Sequence, residues 1–119
     1  MAVPLNTFKT TTKVIPEGPI TGDSDVMYTI PNGITAIVLM AQVANIDTAE
    51  HTVTFTHYHL EDTLTTELAK DFPIYPNDAA GLLTGKLIVE QGNQIRCSVS
   101  PGSGSNMKLV LSYLESLNG

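Results

Sequence analysis

Tryptophan is absent from this sequence and cysteine occurs once, at Cys97. A lone cysteine excludes an internal disulfide framework, so any core must hold together by packing. Without the Cys…Trp…Cys spacing, an antibody-type sandwich is excluded as well. Positive charge is scarce: six Lys and Arg stand against twelve Asp and Glu, a formal net charge of −6. The bases Lys9, Lys13, Lys70, Lys86, Arg96 and Lys108 are scattered. They make no clustered footprint for phosphates, which excludes nucleic acid as a partner. The longest apolar run, residues 34–45, falls short of the roughly 20 residues of a membrane-crossing helix, so no membrane partner is expected. No charged-then-apolar leader opens the chain, so no secretory signal is expected. Charged residues make up 15% of the chain, where about 25% is usual; Thr and Ser take many polar positions instead. That suits a β protein whose surface is partly occupied by neighbours.

What the chain does have is short alternating segments between turn residues. Residues 34–45, Ile-Thr-Ala-Ile-Val-Leu-Met-Ala-Gln-Val-Ala-Asn, are dense in β-branched side chains and follow Pro31-Asn32-Gly33. They read as a strand of roughly 35–40 Å. One face carries Ile37, Leu39, Ala41 and Val43 and is expected in the core. The other carries Ile34, Ala36, Val38, Met40 and Gln42. It too is mostly apolar, so Val38, Met40 and Gln42 are expected at an interface with another layer or subunit. The Pro-Asn-Gly turn before it, with Gly33 able to take a positive φ, suits a bulged hairpin.

Further strands are expected over 8–15, 26–30, 51–60, 64–70, 80–83, 86–90, 95–100 and 107–117, with residues 16–25 and 101–106 as loops. In 51–60, Val53 and Phe55 share a face opposite Thr52, Thr54 and Thr56. In 95–100, Ile95, Cys97 and Val99 point inward, as do Met107, Leu109, Leu111 and Tyr113 in the last strand. Segment 64–70 is ambiguous. Leu64 and Leu68 would share a helix face, but Thr65, Thr66 and the following Phe72-Pro73-Ile74-Tyr75 favour an extended chain. The sum is an all-β, antiparallel β-sandwich of eight or nine short strands, jelly-roll-like, over residues 8–119, preceded by a flexible arm over 1–7.

Reaction chemistry is thin. His57-Tyr58-His59 puts two imidazoles on one strand face, the way a cupin metal site begins. No histidine follows to complete the shell, and two ligands do not close a zinc site, so His57 and His59 remain bare metal candidates and no cofactor is expected. His51 lies roughly 20 Å from His57 along the strand. Asp23-Ser24-Asp25 supplies too few oxygens for a calcium loop and reads as a solvated turn. Cys97, between Ile95 and Val99, reads as a buried small hydrophobe. No nucleophile-elbow glycines occur, and Gly102-Ser103-Gly104 opens no helix. Four tyrosines and no tryptophan give saccharide binding no aromatic row. No catalytic residue is assigned.

The order of segments carries a resemblance. Tyr28-Thr29-Ile30-Pro31-Asn32-Gly33-Ile34-Thr35-Ala36 is followed by Gln42-Val43-Ala44-Asn45, then His51-Thr52-Val53-Thr54. Later come Lys70-Asp71-Phe72-Pro73-Ile74-Tyr75-Pro76 and Gly85-Lys86-Leu87-Ile88-Val89-Glu90-Gln91-Gly92-Asn93. Over residues 26–115 this resembles the small β-sandwich structural proteins of tailed-phage virions, although His57-Tyr58-His59 is not part of that pattern. The resemblance implies a non-enzymatic virion component made in the host cytoplasm. It would be a capsid decoration or cement protein, or an accessory of the tail, neck or fibre. Its partners would be copies of itself and other virion proteins, and in the fibre case a host-surface glycan.

Overall fold

A computed structural model describes residues 6–22 and 24–117. Nine strands follow one another: β1 (Asn6–Val14), β2 (Val26–Thr29), β3 (Ile34–Asn45), β4 (His51–His59), β5 (Leu64–Ile74), β6 (Asp78–Gly81), β7 (Leu87–Val89), β8 (Gln94–Val99) and β9 (Met107–Leu117). The first strand begins at Asn6, two residues ahead of expectation, so Asn6 and Thr7 belong to the sheet. The rest of the expected arm lies outside the described residues. The ambiguous 64–70 segment is a strand that runs on through Pro73. The proline is tolerated because β5 is an edge strand.

Pairing is nested. Strand β1 pairs with β9, β2 with β8, β3 with both β6 and β7, and β4 with β5, all antiparallel. Strand β9 also pairs with β3, and β8 with β4, which closes two sheets, β1-β9-β3-β6/β7 and β2-β8-β4-β5. A long hairpin rolled around a core in this way is a jelly roll, with one of its eight strands broken into β6 and β7. The fold class is as the sequence pattern implied. The Pro31-Asn32-Gly33 turn is not a hairpin, however. Gly33 has φ +80° and the Ile34 amide donates to the Pro31 carbonyl at 3.2 Å, but β2 and β3 lie in different sheets. The turn carries the chain around a corner of the sandwich.

The two inner faces meet in one core. Phe55, Ile95 and Cys97 from the smaller sheet and Val38, Val43, Leu109 and Leu111 from the larger are all essentially inaccessible. The expected inward positions of β4, β8 and β9 hold. The expected faces of β3 do not. Val38 pairs with Tyr113 and Met40 with Ser112, so Leu39 is an extra residue, a β-bulge. Strict alternation fails there because one added residue flips every later side chain to the other face. Ahead of the bulge Ala36 and Val38 point inward; after it Ala41, Val43 and Asn45 do. Leu39 and Met40 both face out, each 37% exposed. Val38, expected at an interface, is a core residue, and Leu39, expected in the core, is on the surface.

Buried polar side chains are matched rather than excluded. Asn45 donates to the carbonyls of Ala49 (2.9 Å) and Ile74 (3.1 Å) and accepts from the Asp47 amide (2.9 Å). Asn93 accepts from the Leu60 amide at 2.9 Å, and Ser103 donates to the Ser100 carbonyl at 2.6 Å. Among the described residues no buried side-chain nitrogen or oxygen lacks a partner.

Candidate functional site

Two surfaces and two polar clusters stand out once the sheets are assembled. The first surface is the outer face of the larger sheet. Cross-strand register aligns Phe8 with Leu114, Leu114 with Ile37, and Ile37 with Ile88, an apolar row across four strands. Phe8 is 76% exposed and Ile88 63%. Leu39 and Met40, pushed out by the bulge, widen the row, and Gln42 continues the face beside Val110. Among the paired positions pointing outward here, Lys108 is the one charge. Of the three expected interface residues, the structure therefore leaves Met40 and Gln42 on this face and removes Val38.

The second surface is a groove of about 480 Å³ on the outer face of the smaller sheet. Its floor is Thr52 and Thr54 of β4 beside Ser98 of β8 and Ser100 just beyond it, with Thr54 directly opposite Ser98. The 18–20 loop makes one wall, and Glu67, Lys70 and Asp71 of β5 make the other. The loop wall is anchored by chemistry. Asp25, 2% exposed, accepts from the amides of Thr21 and Gly22, the latter at 2.8 Å. Its own carbonyl accepts from the Cys97 amide at 2.9 Å. Asp25 is thus a buried loop clasp rather than a solvated turn residue; Asp23 lies outside the described residues. Gly22 takes φ +90°, and a Cβ added there would lie 3.0 Å from the Arg96 guanidinium carbon, which itself sits 3.7 Å from the centre of the Tyr58 ring.

No family model, curated protein or solved structure matches this chain. What can be said of the site therefore rests on geometry.

The histidines divide. His51, 7% exposed, bonds Asp47 at 2.7 Å at one end of the sandwich, and that contact holds the Asp47 carboxyl below its usual range. His57 and His59 are at the other end with ring centres 6.2 Å apart. Burial, then the neighbouring His59, lowers the His57 pKa. His59 lies 3.2 Å from Asp62 and 4.0 Å from Glu90. Among the described residues no group of three or more His, Cys, Asp or Glu is placed to hold a metal ion. Cys97 is fully buried, and burial pushes its thiol up to about 12, so it carries no thiolate at neutral pH.

Sequence reasoning missed the last cluster. Glu115 points into the sandwich, 7% exposed, and accepts from the Tyr28 hydroxyl of the opposite sheet and from the Lys9 ammonium at 2.7 Å. Tyr28 stacks on Tyr113 at 4.3 Å, and Tyr113 shares a 2.7 Å hydrogen bond with Thr11. Burial alone would raise the Glu115 pKa. The bonds from Lys9 and Tyr28 outweigh it and hold the carboxyl below its ordinary value. Burial and the carboxylate together raise the Tyr28 phenol. The signal was an odd-numbered Glu in the strand whose other odd positions, Met107 to Tyr113, all point inward. The cluster ties the edge strand β1 to both sheets. The groove on the smaller sheet does not reach it, and its chemistry is that of a latch.

Proposed function

We propose that the protein is a non-enzymatic structural component of a tailed-phage virion. In this reading it is a capsid decoration or accessory protein that works by adhering to its own copies and to other virion proteins. The observation that carries this reading is the outer face of the larger sheet. A solvated sheet face normally alternates toward polar side chains; this one carries an apolar row four strands wide and, among its paired positions, one charge. On a molecule of net charge −6, that face is where a neighbour can approach without repulsion. The rolled sandwich is compatible, since this architecture serves viral capsid domains, although it also serves lectins and cupins and so decides nothing alone. Many copies on a lattice would stabilise it by mass action, with no reaction required. Closed symmetry is expected of such copies, with trimers and rings as candidates.

The test is Ile37→Asp combined with Met40→Glu. Both side chains face out, so the double variant should stay folded, melting only a few degrees lower for the lost cross-strand contacts of Ile37, while losing self-association in sedimentation and losing occupancy on purified particles. Unchanged association and occupancy would refute the reading.

A second reading, a tail, neck or fibre component that binds a host-surface glycan or receptor, is favoured by the groove on the opposite sheet. A metal-dependent, cupin-like enzyme would need His57 and His59 to find further ligands; elemental analysis of the purified protein decides that cheaply.

A further inference from the structure

We propose that the groove on the smaller sheet is a binding site for a neutral saccharide. The inference rests on this groove alone, not on the apolar face of the other sheet. Three features separate it from an ordinary solvated surface.

The first is its construction. Strand β5 carries two extra residues against β4. Val53 pairs with Phe72 and Phe55 with Ala69, so Lys70 and Asp71 together oppose Thr54; Phe55 and Thr56 are consecutive, yet their partners Ala69 and Glu67 are not. Bulges of this kind bend a strand and re-aim its side chains, and they concentrate next to binding sites. Here they bring Glu67, Lys70 and Asp71 to the rim. Asp71 is held at φ +49°, a conformation most side chains avoid, and its amide donates to the Thr54 hydroxyl at 3.2 Å.

The second is the floor. Thr52, Thr54, Ser98 and Ser100 form a two-by-two array of hydroxyls, about 5 Å apart across the strands and about 7 Å along them. The Ser100 oxygen already accepts from the Thr52 amide at 3.1 Å, and the Thr54 oxygen accepts from Asp71. Neither of these two hydroxyls donates to another protein group in a bond of the described residues, so both protons are available to a ligand, while the rim carboxylates accept. A polyol presents alternating donors and acceptors and matches such a surface. Pro19, Ile20 and the threonine methyls supply apolar contact for the faces of a sugar ring.

The third is charge and size. Lys70 lies 3.7 Å from Glu67, which leaves Asp71 as the uncompensated charge at the rim. A net negative rim disfavours phosphates, sulfates and acidic sugars and tolerates neutral ones. At about 480 Å³ the groove lies within the range of small-molecule sites, roughly 300–1,000 Å³.

The full chain should be titrated with glucose, galactose, mannose, N-acetylglucosamine and their short neutral oligomers, followed by amide chemical shifts. The expected result is saturable binding with a Kd of about 1 mM or tighter, mapping to Thr54, Ser98 and Asp71. Asp71→Asn, which tolerates the same backbone conformation, should weaken it about tenfold with an unchanged melting temperature. Thr54→Val should do the same and serves as the second variant should either one unfold. The double variant of the opposite sheet, Ile37→Asp with Met40→Glu, should bind the sugar as the unmodified protein does. No neutral sugar moving these amides, equal binding by Asp71→Asn, shifts mapping elsewhere, or a response to phosphate, glucuronate or a diamine in place of the sugars would each overturn the proposal.

Discussion

Replacing Glu115 with glutamine tests whether the cluster between the sheets is a charge-dependent latch. The carboxylate accepts from the Tyr28 hydroxyl and from Lys9 and is 8% exposed, so it is little screened on its own side. A hydrogen bond to a charged group contributes roughly 1.5–3 kcal/mol and a neutral one roughly 0.5–1.5. The glutamine amide keeps a neutral acceptor, so the Tyr28 bond should lose about 1 kcal/mol. Lys9 is half exposed, so its ion pair is discounted to about 0.5 kcal/mol. With about 2.1 cal/mol/K of unfolding entropy per residue over 119 residues, 1 kcal/mol corresponds to about 4 °C. Glu115→Gln should therefore melt about 4–8 °C lower at pH 7 by calorimetry.

The sign with pH follows from linkage. The folded carboxyl titrates below its ordinary 4.5, so the stabilisation is complete above that value and lost as pH falls through the lower, folded one. The gap between the two proteins should thus be full at pH 7 and closed in strong acid. His57, whose imidazole burial holds below its ordinary 6.5, destabilises both proteins alike on acidification and cancels in the difference. A gap that is absent at pH 7, or that persists unchanged in strong acid, would refute the latch.

Phe55 is completely buried, so Phe55→Ala should cost about 3–5 kcal/mol in denaturant melts. Gly22 sits at φ +90°, and an added Cβ would lie 3.0 Å from the Arg96 guanidinium carbon, so Gly22→Ala should cost about 1–3 kcal/mol and disturb the Arg96–Tyr58 stack, visible as a shift of the Tyr58 ring protons. Cys97, buried and with its thiol pushed up to about 12, should resist a thiol reagent at about pH 8 until denaturant unfolds the chain, whereupon it should react stoichiometrically.

The sheets were legible in the sequence because period-2 alternation is a local signal. Val53 and Phe55, Ile95 to Val99 and Met107 to Tyr113 show it cleanly, and their apolar positions point inward. Alternation fails where pairing inserts a residue. Nothing local in Ile37-Val38-Leu39-Met40 announces that Leu39 has no partner across from it, so the inner and outer faces of β3 exchanged part-way. The outer apolar row was half visible: Met40 and Gln42 could be placed on a second face, but Phe8, Leu114 and Ile88 join them only through cross-strand register. The groove and the Glu115 latch were invisible for the same reason. Thr54 and Ser98 lie 44 residues apart in the chain, and Glu115 meets Tyr28 across 87. The Asp25 clasp was misread because a loop aspartate is ordinarily hydrated, and what buries it is the loop's return over β8.

Strand β9 is the last of the nine to be synthesised, yet it lies between β1 and β3 and pairs with both. The larger sheet therefore cannot be completed until β9 has been made, and the earliest strand waits for the latest. Until then Phe8 and Ile37 have no register to share, so the outer apolar row does not yet exist. Folding dominated by such distant pairings is slow, on the order of milliseconds to seconds. A nascent chain still short of β9 leaves the facing edges of β1 and β3 open, and open edges are what stray strands pair with, so the last strand made is the one that seals the sheet against unwanted partners.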